Sequence, residues 1–367
     1  MDSKKIAAIA AVVIIAAAAI GGVLIWKNNQ KEETFSVAYL EKGYYTYHVA
    51  FAKGFYDDLG FKVEPKIVGG SGQDAINAVL AGDATVAATG DAPYVNTLAK
   101  KGGDFVGLCM YEEKTSASAG HKWVTTPDNP AGLVAIAGST ATTDEANAAA
   151  AAIKAYDGML KVGLVNGSTT MTTFMKWCDK YEIKFSQKES DSPKILIVPF
   201  STGGDAITAL GSKSIDMLGG SDPIPANAIS KVTGAFIWGD CKVLGEPTAS
   251  VLCTTKANYD KYADRMEKFV EVTYKANKWI AENIDEAVTI CTEKSSVKDA
   301  ATVKSSLEKP LEIVWKNING KLFSAWALTA ELNGFDGITA ETFKNSCPLA
   351  STINGYAKIR DTIPEGA

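Results

Sequence analysis

The chain has 367 residues, of which 46% are hydrophobic and 22% charged, and its formal net charge is −5. This length predicts about two domains, each large enough to bury a core without disulfides. An acidic chain does not accumulate on nucleic acid, two histidines are too few for a histidine-rich zinc site, and two arginines (Arg265 and Arg360) make a guanidinium clamp on an anion unexpected.

The N-terminal segment predicts export of the rest of the chain. Residues 6–26 are uncharged and mainly aliphatic, and as a helix they would be about 31 Å long, which matches the hydrocarbon core of a bilayer. Lys4 and Lys5 precede them and favour a cytoplasmic N-terminus. We expect a cytoplasmic tail (1–5), a single-pass transmembrane signal-anchor (6–26) and a polar stalk (27–33), with the body on the extracytoplasmic side of the cell membrane. A cleaved signal peptide is the alternative.

The body alternates predicted strands with predicted helices. Phe35–Leu40 and Phe61–Val68 have the composition of strands, and each is followed by glycines and a segment with helical spacing of apolar residues. Thr85–Ala88 is a third short strand, which leads into a turn containing Asp91. This alternation predicts an α/β fold with parallel sheets.

An internal repeat predicts two lobes of similar topology. The motif DAIxA at residues 74–78 recurs at residues 205–209, and the same offset of 131 residues brings Asp91 onto Asp222. Because the second copy is enclosed by the rest of the body, we expect a discontinuous first lobe at 34–132 and 246–367. The second lobe, with crossing strands, is expected at 133–245, beginning with a strand at Leu133–Ala137.

The six cysteines show no CxxC spacing, so metal binding or thioredoxin-type chemistry is not expected. Disulfides and buried free thiols remain open alternatives, and Cys241 and Cys253 are candidates for adjacent strands. No catalytic motif and no cofactor-binding motif is present. His48 has the sequence context of a helix-packing residue, and we assign no role to His121.

The turns after the predicted strands are the candidate binding site, because ligands of open α/β sheets collect at the carboxyl ends of strands. These turns are rich in small residues that leave backbone N–H groups exposed at helix starts. Tyr44 and Tyr45 offer aromatic faces to a small ligand, whereas Asp91 and Asp222 could either cap a helix or contact the ligand. The candidate ligand-binding residues are Tyr44, Tyr45, Gly70, Ser71, Gly72, Gln73, Thr89, Gly90, Asp91, Ser168, Thr169, Thr170, Thr202, Gly203 and Asp222.

Several segments resemble one family in order and spacing. AFAKGFYDDLGFKVE, GGSGQDAINAVLAGDATVAATGDAP, LKVGLVNGSTT and ITALGSKSIDMLGGSDP are similar to the solute-binding proteins of ABC importers, of the nitrate, sulfonate and taurine type. The resemblance covers about residues 34–295. It implies a type II periplasmic-binding-protein fold, a hinge of crossing strands, closure on the ligand, and delivery to an ABC permease and its ATPase. It also implies ligand contacts at residues 71–73, 89–91 and 168–170.

We therefore expect an extracytoplasmic receptor that captures a small polar or anionic solute between two lobes, with neither a cofactor nor a nucleic acid as partner. Helix N-termini can hold an anion without arginine, although the two aspartates could instead favour an amine or a zwitterion. The alternatives are an enzyme on the same fold, of the menaquinone- or pyrimidine-biosynthesis type, and an extracellular sensor module.

Overall fold

The computed structural model describes residues 34–114, 120–221, 223–245, 248–308 and 320–347. The predicted cytoplasmic tail, signal-anchor and stalk lie outside these residues. Within the described ranges, every helix is too short or too polar to cross a bilayer. The described chain forms two β-sheets, each covered by helices.

The first sheet has five strands. Numbered along the chain, they are β1 (Phe35–Leu40), β2 (Val63–Val68), β3 (Val86–Gly90), β4 (Phe105–Lys114) and β11 (Thr248–Thr255). Their order across the sheet is β2-β1-β3-β11-β4. β1 is parallel to β2 and β3, whereas β11 is antiparallel to β3 and β4.

The second sheet has six strands and repeats this plan. They are β5 (His121–Thr125), β6 (Leu160–Val165), β7 (Phe185–Ser186), β8 (Ile195–Phe200), β9 (Met217–Ser221) and β10 (Phe236–Asp240). Their order is β10-β5-β9-β6-β8-β7. β6 is parallel to β8 and β9, whereas β5 is antiparallel to β9 and β10.

Helices cover both faces of each sheet, as parallel strands require. They are α1 (Tyr45–Ala52), α2 (Gly72–Leu80), α3 (Asp91–Lys101), α4 (Thr143–Ala155), α5 (Thr169–Lys180), α6 (Gly203–Gly211), α7 (Ile224–Lys231), α8 (Lys256–Glu282), α9 (Ile284–Lys294), α10 (Ala300–Glu308), α11 (Gly320–Leu332) and α12 (Ala340–Asn345).

The first sheet buries a core on each face. Tyr47 of α1 and Phe269 of α8 pack against Tyr39 on one face. On the other face, Ile76 of α2 shares a cluster with Trp326 of α11. Each of these side chains is at most 2% exposed, and complete burial of such a side chain stabilises the fold by about 1.5–3 kcal/mol.

The second sheet is built in the same way. Trp123 of β5 and Phe174 of α5 meet edge to face on one side, with ring centroids 5.0 Å apart. On the other side, Ile207 and Leu210 of α6 pack in a smaller cluster with Ala228 of α7. The two lobes therefore have separate cores, which allows each to remain intact if the lobes move relative to one another.

The internal repeat predicted from the sequence is confirmed. Offsets of 131 residues relate α2 to α6 and β3 to β9 at both ends of each element. In both copies the DAIxA motif occupies the first turns of the helix, with its alanine and isoleucine side chains buried.

The chain crosses between the sheets twice. It leaves the first sheet after β4 to form β5, and it returns after β10 to form β11. β5 and β11 occupy equivalent positions, since β5 lies antiparallel beside β9 in the second sheet and β11 lies antiparallel beside β3 in the first.

The structure differs from the predicted lobe boundary near residue 132, because β5 lies inside the range assigned to the first lobe but pairs in the second sheet. The predicted strand at Leu133–Ala137 is wrong: this segment is irregular, with one backbone hydrogen bond from Ile136 N–H to the carbonyl of Ile237 (3.0 Å). The division into lobes otherwise stays a prediction.

All six cysteines are buried free thiols, so the disulfide alternative is wrong for this structure. Cys241 follows β10 of the second sheet, whereas Cys253 lies in β11 of the first sheet. The adjacent strands proposed for this pair therefore do not exist. Burial raises the pKa of both thiols, which keeps them protonated and unreactive at neutral pH.

Candidate functional site

A cleft of about 210 Å³ lies between the two lobes. The turns after β1, β2 and β3 line it from the first lobe, and those after β6 and β9 line it from the second. These turns are the carboxyl ends of parallel strands, where an open α/β sheet presents helix N-termini to a ligand. The cleft thus brings the two sets of predicted turns together.

Most of the predicted binding residues line this cleft. From the first lobe these are Tyr44, Tyr45, Gly70, Ser71, Gly72 and Gly90, and from the second lobe they are Ser168, Thr169 and Thr170. Their shared location agrees with the sequence-based interpretation, and their role in binding stays a prediction.

Three predicted residues of the first lobe do not line the cleft, because their side chains bond within the lobe. The Gln73 side-chain amide donates a hydrogen bond to Asn77 Oδ1 (3.2 Å). The Thr89 hydroxyl, which is fully buried, donates to the carbonyl of Gly72 (2.9 Å). The carboxylate of Asp91 accepts a hydrogen bond from the backbone N–H of the next residue (2.8 Å), in the first turn of its own helix.

The second lobe contributes less than the repeat predicts. Thr202 caps α6, accepting from the backbone N–H of Asp205 at 3.2 Å and donating to its carboxylate at 2.8 Å. Gly203 does not line the cleft, whereas Ile224, which packs on it, does. Asp222 lies outside the described residues.

The turn between β1 and α1 has a strained backbone. Gly43 and Tyr44 both adopt the left-handed region, with φ of 70° and 53°, and this conformation is unfavourable for a tyrosine. His48 of α1 holds the turn from behind through a hydrogen bond between its Nε2 atom and the carbonyl of Glu41 (3.0 Å). The turn places Lys42 on the cleft, where burial lowers the pKa of its ammonium group.

The backbone of the turn before α2 is hydrogen-bonded to a carboxylate from the first turn of that helix. Gly70 has φ of 81°, which suits glycine. Asp74 accepts a hydrogen bond from the backbone N–H of Ser71 (2.7 Å) and another from its hydroxyl (3.3 Å). The capped turn therefore presents small residues to the cleft with little freedom to rearrange.

The N-terminus of α5 is the main contribution of the second lobe. Ser168 caps it by accepting a hydrogen bond from the backbone N–H of Met171 (3.2 Å). The Thr170 hydroxyl lies 2.8 Å from Nδ1 of His121, a buried residue that also lines the cleft. His121 thereby connects the crossing strand β5 to the floor of the site.

The two lobes touch at one side of the cleft. The hydroxyl of Thr169 accepts a hydrogen bond from the backbone N–H of Ala92 at 3.4 Å, which joins α5 to α3. The same hydroxyl lies against Gly90, where an added Cβ atom would be only 2.5 Å from it. A side chain at position 90 would therefore displace the Thr169 hydroxyl or push the lobes apart.

The charge distribution of the cleft favours an anion. The first turns of α2 and α3 each contain an aspartate that offsets the helix dipole, whereas α1 and α5 have no acidic residue in their first turns. The partial positive charges at the N-termini of α1 and α5 therefore face the cleft uncompensated. Lys42 adds a full positive charge, and the described lining residues include no carboxylate.

Lys42, His121 and Ile224 line the cleft without having been predicted as binding residues. Lys42 lies within a turn that was predicted to line the site, so its position carried a signal. Ile224 is equivalent to Pro93 through the 131-residue offset, which was also a usable signal. His121 had none, because its place in the cleft depends on β5 pairing with a strand that begins 96 residues later.

Comparisons with known proteins rest on structure alone, since no protein-family model and no curated protein matches the sequence. The aliphatic sulphonate binding protein SsuA of Escherichia coli is similar with a TM-score of 0.65 and 15% identity, over 86% of this chain and 92% of that one. The nitrate-binding protein NrtA of Synechocystis PCC 6803 gives 0.65 and 12%, over 91% and 92%. The chain has the periplasmic-binding-protein fold.

A third similar structure, the alkanesulfonate-binding protein SsuA of Xanthomonas axonopodis pv. citri bound to MOPS, gives a TM-score of 0.62 at 12% identity, over 84% of this chain and 97% of that one. At such identities the likeness concerns the fold. The periplasmic-binding-protein fold expected from the sequence resemblance is thus confirmed, and the named neighbours are binding proteins rather than enzymes.

Proposed function

We propose that this protein is the extracytoplasmic solute-binding receptor of an ABC importer, and that it captures a small anion between its lobes. The observation that carries the proposal is the charge arrangement of the cleft. The N-termini of α1 and α5 converge on it from opposite lobes with no acidic residue in either first turn, and Lys42 lies beside them. Such an arrangement stabilises negative charge without arginine.

An anion is favoured over an amine by the position of Asp91. An amine would need a carboxylate directed at the ligand, but the Asp91 side chain accepts a hydrogen bond from its own helix and does not line the cleft. Nitrate-like and sulfonate-like groups have several acceptor oxygens, which match the Thr169 hydroxyl and the backbone N–H donors at the start of α5. The Ser168 hydroxyl already donates to the carbonyl of Val165 (2.7 Å).

Capture would proceed by closure of the lobes about the two crossings between the sheets. A ligand shifts this equilibrium only through contacts that it makes better in the closed form. We propose that the contact of Thr169 with Ala92 and Gly90 is made in the closed form, because it joins residues from opposite lobes at the edge of the cleft.

The partners and location follow from this role. We propose that the closed receptor delivers its solute to an ABC permease driven by its ATPase, and that residues 6–26 anchor the protein in the membrane with its body outside. The support is the apolar composition of that segment and its length relative to a bilayer. Within the fold, we assign the chain to type II on the basis of the sequence resemblance.

The solute can be tested with a panel of nitrate, bicarbonate, linear sulfonates, amines and amino acids in a thermal-shift assay. We expect saturable stabilisation by an anion and no chemical change in it. Stabilisation by amines alone would refute the anion assignment, and turnover of any stabilising compound would favour an enzyme. Membrane fractionation of the full-length chain tests the proposed anchor. If residues 6–26 span the bilayer, the protein should be recovered in the membrane fraction.

A further inference from the structure

Ile224 is the residue of the cleft that best distinguishes the second lobe from the first. It begins α7 and lines the cleft. A Cβ atom added to Gly203 would lie 2.5 Å from Ile224 Cδ1, and one added to Gly220 would lie 2.6 Å from Ile224 Cβ. The isoleucine side chain therefore packs directly on the backbone of two glycines and occupies the space in front of them.

The first lobe fills the equivalent space with a different side chain. Pro93 stands where the second lobe has Ile224, and Gly72 corresponds to Gly203. The proline ring is farther away than the isoleucine, because a Cβ on Gly72 would lie 3.4 Å from Pro93 Cγ. The nearest neighbour of that Cβ is instead the buried hydroxyl of Thr89, whose equivalent in the second lobe is Gly220. Gly72 and its two preceding residues line the cleft, whereas Gly203 does not.

This difference sets the shape of the site. The starts of α1 and α5, which have no acidic residue in their first turns, lie on the cleft with Lys42. The first turn of α7 also has no acidic residue, but this helix presents the branched aliphatic side chain of Ile224 to the cleft, in front of α6. The cleft volume of about 210 Å³ is below the usual range of about 300–1,000 Å³ for drug-sized ligands. Each side-chain carbon that projects into the cleft therefore reduces the space left for a solute.

We propose that Ile224 sets the maximum length of the solute. This inference rests on the proposed function, in which the anionic group binds at the N-termini of α1 and α5. The rest of the solute then ends against Ile224, which determines how many atoms fit when the lobes close. A smaller side chain at this position would admit longer solutes.

The proposal can be tested by titrating linear alkanesulfonates, from methanesulfonate to hexanesulfonate, into the full-length protein and following binding by calorimetry. The variants are Ile224→Ala, which removes three side-chain carbons, and Ile224→Val, which removes one. Ile229→Ala is the matched control, since Ile229 lies on the same helix but is 43% exposed and does not line the cleft.

We expect the affinity of the unmodified protein to fall beyond a certain chain length. Ile224→Ala should move this limit by up to about three carbons and Ile224→Val by about one, because each added methylene that becomes buried tightens binding about fourfold. Ile229→Ala should keep the limit of the unmodified protein. Circular dichroism and melting curves verify that each variant is folded.

The possible results separate the two hypotheses. If the unmodified protein binds short sulfonates and Ile224→Ala has the same length limit, the role of Ile224 is refuted while the anion receptor stands. If neither the unmodified protein nor a variant binds any sulfonate, but another anion of the wider panel binds, the length limits are compared with longer homologues of that anion. An unchanged limit in Ile224→Ala then refutes the role of Ile224. If no anion binds at all, the proposed function fails and the length limit fails with it.

Discussion

The contact between Gly90 and Thr169 predicts that one methyl group will prevent closure. A Cβ atom at residue 90 would lie 2.5 Å from the Thr169 hydroxyl, which is closer than the 3.0 Å that real Cβ atoms keep from their neighbours. Gly90→Ala therefore requires either a rotation of the Thr169 hydroxyl, which would break its hydrogen bond to Ala92 N–H, or a separation of the lobes by about 0.5 Å at this point. Separation would also lengthen the hydrogen bond from Ala92 N–H to Thr169, which is already 3.4 Å.

The expected magnitude follows from the cost of overpacking, which is about 1–3 kcal/mol for an added methyl in a tight contact. If this cost falls only on the closed form, the dissociation constant rises about 5- to 150-fold. The ligand-free protein should not be destabilised, because Gly90 has φ of −74° and ψ of 164°, which alanine adopts without strain. Gly→Ala at such positions commonly stabilises the fold by about 0.4–1 kcal/mol.

The assay compares the melting temperature with and without an anion that binds. At a ligand concentration of 100 times the dissociation constant, binding stabilises the protein by about 2.7 kcal/mol, and a 30-fold weaker constant reduces this to about 0.9 kcal/mol. Gly103→Ala is the control, because Gly103 follows the other end of α3 and an added Cβ there meets nothing within 4 Å. It should leave the ligand-induced shift unchanged.

A double variant tests the cause of the effect. In Gly90→Ala with Thr169→Ala the hydroxyl is gone, and the remaining distance, 3.6 Å from the added methyl to the Cβ atom of residue 169, is an ordinary contact. We compare this double variant with Thr169→Ala alone, because Thr169 also lines the cleft. Gly90→Ala should reduce the affinity less in the Thr169→Ala protein than in the unmodified one. Unchanged affinity in Gly90→Ala, or an equal reduction in both proteins, would refute the predicted clash.

Two further predictions concern titratable groups. Lys42→Met should weaken anion binding about 10- to 150-fold, because a hydrogen bond to a charged group contributes about 1.5–3 kcal/mol, whereas Lys101→Met should not. Burial lowers the pKa of Lys42, so calorimetry should also show the anion affinity falling as the pH rises and Lys42 loses its proton. Lys42→Met should lack this pH dependence. Burial also lowers the pKa of His48, so below about pH 6.5 the unfolded chain takes up a proton that the folded protein resists, and the free energy of unfolding falls. Denaturation at pH 7.5 and 5.5 should show a smaller loss in His48→Gln, and an equal loss would contradict this assignment.

Local signals in the sequence predicted much of the fold. The DAIxA repeat placed α2 and α6 correctly because the motif combines an acidic residue in the first helical turn with buried apolar residues one turn apart. Long-range pairing was not predictable in this way. Leu133–Ala137 has the composition of a strand, but Val134 is 72% exposed, and the ladder position beside β9 is occupied by β5.

The site shows the same division between local and long-range information. Turn composition identified which segments meet at the cleft, because small residues between a strand and a helix expose backbone N–H groups wherever they occur. Turn composition did not identify which side chains reach the cleft. That depends on which neighbouring side chain fills the space beside each glycine of these turns. The repeat suggests a symmetric site, yet Ile224 packs on Gly203 while Pro93 stands farther from Gly72. Duplication therefore explains why two lobes exist, and one aliphatic side chain explains why they present different surfaces to the same solute.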